Sequence, residues 1–224
     1  MEEQINLALN EVGIGKATAG YRPVKLVTNL GKIDTRFYHV PNIKRAVIFV
    51  GGVGGGYDSP AKNLYPKLAE QLMLEGISSL RIQYRNPSDL IDSVIDVMAG
   101  IMFLEKNGIE EIGLVGHSLG GAVVIQAAAN SDSVRTVIAL APQGFGVEPV
   151  TDLQEDTSLL LVHGKGDIVL PYALSEYIYT LAHEPKDLKL LSKTGHSLHE
   201  KSEEVFKHVH DWLADELKPN DRKI

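Results

Sequence analysis

The stretch EEIGLVGHSLGGAVVIQAAAN (110–130) decides the fold. It reads as a short apolar strand, a serine between glycines, and a helix that starts at once. GHSLG (116–120) fits G-x-S-x-G, a pattern that short sequences also produce by accident. The flanking strand and helix give it meaning. A chain that leaves a strand and enters a helix without a loop must turn sharply, and it holds the residue at the turn in a strained conformation with its side chain beyond the sheet edge. Gly116, Gly120 and Gly121 leave room where a side chain would collide with the adjoining strand or helix. The helix also points its positive end at Ser118, which favours developing negative charge there. A serine cap in a glycine turn is the alternative for the pentapeptide alone, and the strand–helix context displaces it.

Outward from this elbow, short apolar runs alternate with segments of helical period. AVIFV (46–50), SSLRIQY (78–84), EIGLV (111–115), VRTVIAL (134–140), SLLLVH (158–163) and DLKLLS (187–192) have the length and composition of buried parallel strands. Helices are expected at about 60–76, 88–107, 119–130, 172–183 and 201–217, with Ser88 as an N-cap and Gly108 as a C-terminal stop. PVKLVTNL (23–30) and KIDTRFYHV (32–40) flank Gly31 and read as an antiparallel hairpin. The order predicts one α/β domain over 1–224: a mostly parallel sheet with an antiparallel N-terminal hairpin and helices on both faces. Residues 1–20 are left as an appendage with no assigned element, and 219–224 as a frayed tail.

Composition narrows the function. The 224 residues are 44% hydrophobic and 23% charged, enough for a sizeable core. A net charge of −7, with no basic stripe, argues against nucleic acid as a partner. With no cysteine, disulfides, thiolate metal sites and a cysteine nucleophile are excluded. The acidic start MEEQ does not look like a secretory signal, and no apolar run reaches the length of a membrane span, so the expected setting is cytoplasmic.

A serine hydroxyl is a weak nucleophile near neutral pH and needs a base, itself oriented by an acid. Open parallel sheets bind ligands beyond the carboxyl ends of their strands. Of the eight histidines, His196 and His199 lie there, in KTGHSLHEKSEE, a loop between the last strand and the last helix. Asp167, in LLLVHGKGDIVLP, also follows a strand, whereas Glu155, Asp156 and Asp187 fall at strand starts on the opposite edge. His163 ends a strand near the acid loop, and His117 lines the site without serving as base. GGVGGG (51–56) follows the strand at 46–50 and lacks the Gly-Lys-Ser/Thr of a phosphate loop. It is read as one wall of an oxyanion site whose donors are the backbone N–H groups of Val53 and Leu119.

GGVGGG, GHSLGG, HGKGD and TGHSLHE together resemble the α/β-hydrolase superfamily, and within it the small lidless esterases and dienelactone-hydrolase-like proteins. The likeness covers roughly 23–217. It implies Ser118 as nucleophile, Asp167 as acid and His196 as base, with His199 the fallback. YRNPSD (84–89) stands where relatives often carry an Arg-Gly turn, and Arg85 is read as structural. Lidded relatives insert a cap between the strands at 134–140 and 158–163; here only APQGFGVEPVTDLQEDT fills that gap, so no cap domain is expected.

The expected activity is hydrolysis of small or medium carboxylic esters through an acyl-enzyme, with no metal or organic cofactor. The partner is the small-molecule ester, with no membrane partner, and the oligomeric state is left open. A thioesterase, amidase or acyltransferase would use the same triad. A non-catalytic binding protein on the same fold would be expected to have lost a triad member, and none is missing.

Overall fold

A computed structural model describes residues 6–18 and 20–218. The expected tail at 219–224 lies outside the described residues, as do positions 1–5 and 19 of the expected appendage. Among the described residues nine strands form one sheet: β1 (Leu9–Ile14), β2 (Arg22–Thr28), β3 (Gly31–Tyr38), β4 (Arg45–Val50), β5 (Ser78–Gln83), β6 (Glu111–His117), β7 (Val134–Leu140), β8 (Ser158–Gly164) and β9 (Lys186–Leu191). Their spatial order is β1-β2-β3-β5-β4-β6-β7-β8-β9. The pairings β1–β2, β2–β3 and β3–β5 are antiparallel, and all pairings from β5 to β9 are parallel.

The helices are α1 (Pro60–Leu74), α2 (Leu90–Lys106), α3 (Leu119–Ala129), α4 (Ala173–Leu181) and α5 (Ser202–Glu216). Ile48 and Val50 of β4 pack in the core built with α2 and α3, while Val47 and Phe49 pack in the core built with α1 and α5. Burial on both faces is why the parallel strands read as unbroken apolar runs. The connection between β7 and β8 holds only a 3₁₀ turn, Glu148–Asp152, and no cap domain.

Two expectations are corrected. The expected hairpin is present as β2–β3, but part of the segment left as an appendage without an element forms β1, which pairs with β2 and extends the hairpin to a three-stranded antiparallel meander. LNEVGI alternates poorly, since this edge strand is mostly exposed and its register slips between Leu9 and Glu11. The N-cap of α2 is Asp89 rather than Ser88: the Asp89 carboxylate accepts the Asp92 N–H at 2.8 Å, whereas Ser88 Oγ donates to Asn86 Oδ1. A carboxylate at this end also answers the helix dipole. Gly108, with φ +82°, follows the helix as expected.

Arg85 ties the antiparallel wing to the rest. Its backbone N–H donates to Asp96 Oδ2 at 2.8 Å, its Nε donates to Asp96 Oδ1, and its Nη1 donates to Leu30 O at the β2–β3 turn. The Asp96 side chain is fully buried on α2. Burial pushes its carboxyl up, against the hydrogen bonds and charge of Arg85, which pull it down. Removing one partner of a buried pair strands the other, at about 3–5 kcal/mol, whereas replacing both by apolar groups is often neutral. Urea denaturation of Arg85→Ala should therefore show a loss of about 3 kcal/mol. The double variant Arg85→Met/Asp96→Leu should recover most of it.

Candidate active site

Ser118 stands between β6 and α3 at φ 58°, ψ −118°, outside the regions that non-glycine residues favour. Such a conformation costs about 1–3 kcal/mol and persists only where its surroundings impose it. Here the backbone does so: Ser118 N–H donates to Leu140 O at 2.9 Å, and Ser118 O accepts from Gly121 N–H at 3.0 Å and Gln143 N–H at 3.2 Å. Contact at the turn is backbone on backbone. A Cβ on Gly116 would fall 2.0 Å from Gly120 O, and one on Gly120 would fall 2.4 Å from Gly51 O.

The first half of the glycine run lies against the serine. A Cβ on Gly52 would sit 3.1 Å from Ser118 Cβ and 3.6 Å from its Oγ. Val53 follows in a turn closed by Gly55 N–H to Gly52 O at 3.3 Å. Leu119 is the first residue of α3, so its N–H has no intrahelical acceptor. Both amides thus belong to segments that meet at the hydroxyl.

Asp167 follows β8. Its carboxylate is fully shielded from solvent. Oδ1 accepts the N–H groups of Val169 at 2.8 Å and Leu170 at 2.9 Å, and Oδ2 accepts from His196 Nδ1–H at 2.7 Å. Burial alone would raise this carboxyl, but the hydrogen bonds from Leu170, His196 and Val169 outweigh it and hold the group below the usual carboxylate range. With its Nδ1–H donated to Asp167, a neutral His196 keeps Nε2 unprotonated. Among the described residues, hydrogen bonds join Asp167 to His196 but not His196 to Ser118, a contact that often tightens only with substrate bound.

The Asp167 and His196 loops are pinned to each other. Gly166 N–H donates to Thr194 O at 2.9 Å, and a Cβ on Gly164 would meet that oxygen at 2.1 Å. His199 begins the 3₁₀ turn His199–Lys201, is exposed, and does not meet Asp167. His117 is buried, and its ring lies 4.8 Å from that of His196. Its Nε2–H donates to His196 O at 2.9 Å, which bears on the position of the base loop. His163 reaches Asp167 directly, and its other ring nitrogen meets Ser175 of α4. Strand-end placement pointed to His163; nothing in the sequence pointed to Ser175. Among the described residues no cluster of three or more His, Asp or Glu is arranged to hold a metal ion, and no helix is long and apolar enough to cross a membrane.

A strained serine at a strand–helix elbow at the edge of a mostly parallel sheet is the mark of the α/β-hydrolase fold. The family model for the alpha/beta hydrolase fold matches residues 45–159, and the chain belongs to that family. Dienelactone hydrolase from Anabaena variabilis superposes with TM-score 0.77 at 18% identity, covering 88% of this chain and 98% of that one. Est1E from Butyrivibrio proteoclasticus gives 0.72 at 18% identity over 84% and 96% of the two chains. XC6422 from Xanthomonas campestris, an α/β serine hydrolase without lid, gives 0.72 at 17% identity over 91% and 98%. The dihydrolipoyllysine-residue acetyltransferase component of the acetoin cleaving system of Cupriavidus necator is 30% identical over 146 residues, which span 61% of this chain but only 36% of that protein.

His117 also carries a pH dependence. Burial pushes its pKa down from 6.5 to about 4; the bond to His196 O opposes this, and the nearby His196 ring adds to it. The unfolded chain therefore takes up this proton near pH 6.5 while the folded chain refuses it until about pH 4. The stability this group allows is full above pH 6.5, is lost as pH falls through that interval, and levels off below it. The size is about 3 kcal/mol. The unfolding free energy from urea denaturation, followed from pH 7.5 to 4, should fall by about 3 kcal/mol less for His117→Phe than for the wild type.

Proposed function

We propose that the chain is a serine hydrolase that cleaves small or medium carboxylic esters. The observation that carries the reading is the 2.7 Å hydrogen bond between His196 and the buried Asp167, on the sheet edge that also presents the strained Ser118. His196 Nε2 takes the Ser118 proton as Oγ attacks the acyl carbon. The tetrahedral oxyanion rests on the Val53 and Leu119 N–H groups, each worth about 3–4 kcal/mol of barrier. Imidazolium, stabilised by ionised Asp167, then protonates the leaving alcohol. Water enters, gives a proton to the same nitrogen and attacks the acyl carbon, and the imidazolium returns that proton to Ser118 Oγ as the acyl–Oγ bond breaks. Exposed apolar side chains on the surrounding loops (Val53, Phe145, Ile168, Val169) offer a shallow surface for a short acyl or alkyl group.

A second reading rests on the Cupriavidus necator relative, an acetyltransferase component. It keeps Ser118, His196 and Asp167 and passes the acyl group to an acceptor other than water. Product analysis with and without added alcohols and thiols separates the two.

Treatment with a fluorophosphonate and peptide mapping should find the adduct on Ser118. A modified serine elsewhere, or an active Ser118→Ala, would remove the assignment. In the same assay His196→Ala should lose on the order of 10⁴-fold or more in kcat, and His199→Ala should keep most of its activity. The reverse pattern would move the base to His199.

With only a short connection between β7 and β8, the site lies open. Across a series of p-nitrophenyl esters, kcat/KM should fall steeply as the acyl chain lengthens, without activation at a lipid interface. A preference for long-chain triglyceride emulsions would contradict this.

A further inference from the structure

We propose that His163 is a positioning residue for the acid of the triad, held from its other side by Ser175. The proposal rests on the reading of Asp167 and His196 as acid and base. His163 is the penultimate residue of β8 and is fully buried, as is Ser175. Its Nε2 faces two oxygens that can only accept: Asp167 Oδ2 at 3.2 Å and Leu170 O at 3.1 Å. The proton must therefore sit on Nε2. Its Nδ1 lies 2.7 Å from Ser175 Oγ, whose O–H donates to it. Burial lowers the His163 pKa, more than the hydrogen bonds and charge of Leu170 and Asp167 raise it, so the ring is neutral and this tautomer is the one present.

The chain of bonds runs Ser175 O–H to His163, His163 N–H to Asp167 Oδ2, and His196 N–H to the same Oδ2. Asp167 thus receives four donors, two on each oxygen, from three directions. The two backbone donors follow immediately in the same loop and cannot by themselves fix the tilt of the carboxylate relative to β9. His163 is the donor that comes from the sheet. It also holds Leu170 O, tying down the far end of the Asp167 turn. Without it, Oδ2 keeps only the bond to His196, and the carboxylate can rotate away from the line that aims Nε2 at Ser118. Substrate binding does not involve His163, so the loss should appear in kcat and not in KM.

The experiment is a cycle between His163→Leu and Asp167→Ala, with kcat and KM measured for a soluble p-nitrophenyl ester and folding followed by near-UV circular dichroism. In the wild-type background His163→Leu should lower kcat by about 10²-fold, with KM changed less than about threefold. In the Asp167→Ala background the same substitution should change kcat less than about threefold, because its route of action is gone. His163→Gln, whose amide can still donate toward Oδ2, should recover about tenfold or more of the loss. It also serves as the test variant should the leucine chain not fold, in which case its KM should stay at the wild-type value. Equal losses in both backgrounds, or no loss from His163→Leu, would overturn the positioning role. An Asp167→Ala chain with wild-type kcat would instead overturn the triad on which it stands.

Discussion

Close approach of backbone to backbone, permitted only by glycine, is the constraint on which the site depends. At the elbow, Gly116 lies so near Gly120 O that no other residue fits without moving the chain. Gly120 in turn lies against Gly51, so the end of β4 is locked to the start of α3. The same device recurs where Gly164 meets Thr194 O and joins the Asp167 loop to the His196 loop. Two such contacts hold four loops in register at one edge of the sheet. Side-chain packing tolerates small shifts by changing rotamers; these contacts have no rotamers to change. That rigidity lets Ser118 hold its unfavourable φ without the helix fraying.

Electrostatics builds on this frame. Asp167 is shielded from solvent yet stays ionised, because hydrogen bonds replace the water it lost. The histidines around it divide their tasks according to burial and partners. His117 and His163 are buried and held neutral, each with its Nε2–H committed to an oxygen. His196 is partly open to solvent and keeps Nε2 free. Of the three rings, His196 is the one that is both open to solvent and paired with the Asp167 carboxylate through Nδ1.

The parallel strands were legible because burial on both faces leaves runs such as AVIFV and SLLLVH with almost no polar residue. The strand at 134–140 matches to the residue. Ser118, Asp167 and His196 each follow a strand, and that placement singled them out as candidates, with His199 beside His196 in the same loop. β1 was not legible: one side of an edge strand is solvated, and LNEVGI carries neither a strong alternation nor a continuous run. The Asp89 cap lay one residue from the expected Ser88, a choice that local composition cannot make between two good caps. Ser175 was hidden for a different reason. It lies on the buried face of a helix, where a serine usually means only a small residue, and its partner is on another element.

The strand order carries one more consequence. From β4 the chain moves outward to β5 on one side, and then returns across it to β6 on the other. The helix after β4 covers one face of the sheet, and the helix after β6 covers the opposite face. The two loops therefore leave adjacent strands in opposite directions, and a crevice opens between them at this topological switch point. One wall is the glycine run after β4, and the other is the elbow after β6. The crevice at the candidate site is thus a product of winding order, present before any side chain is chosen.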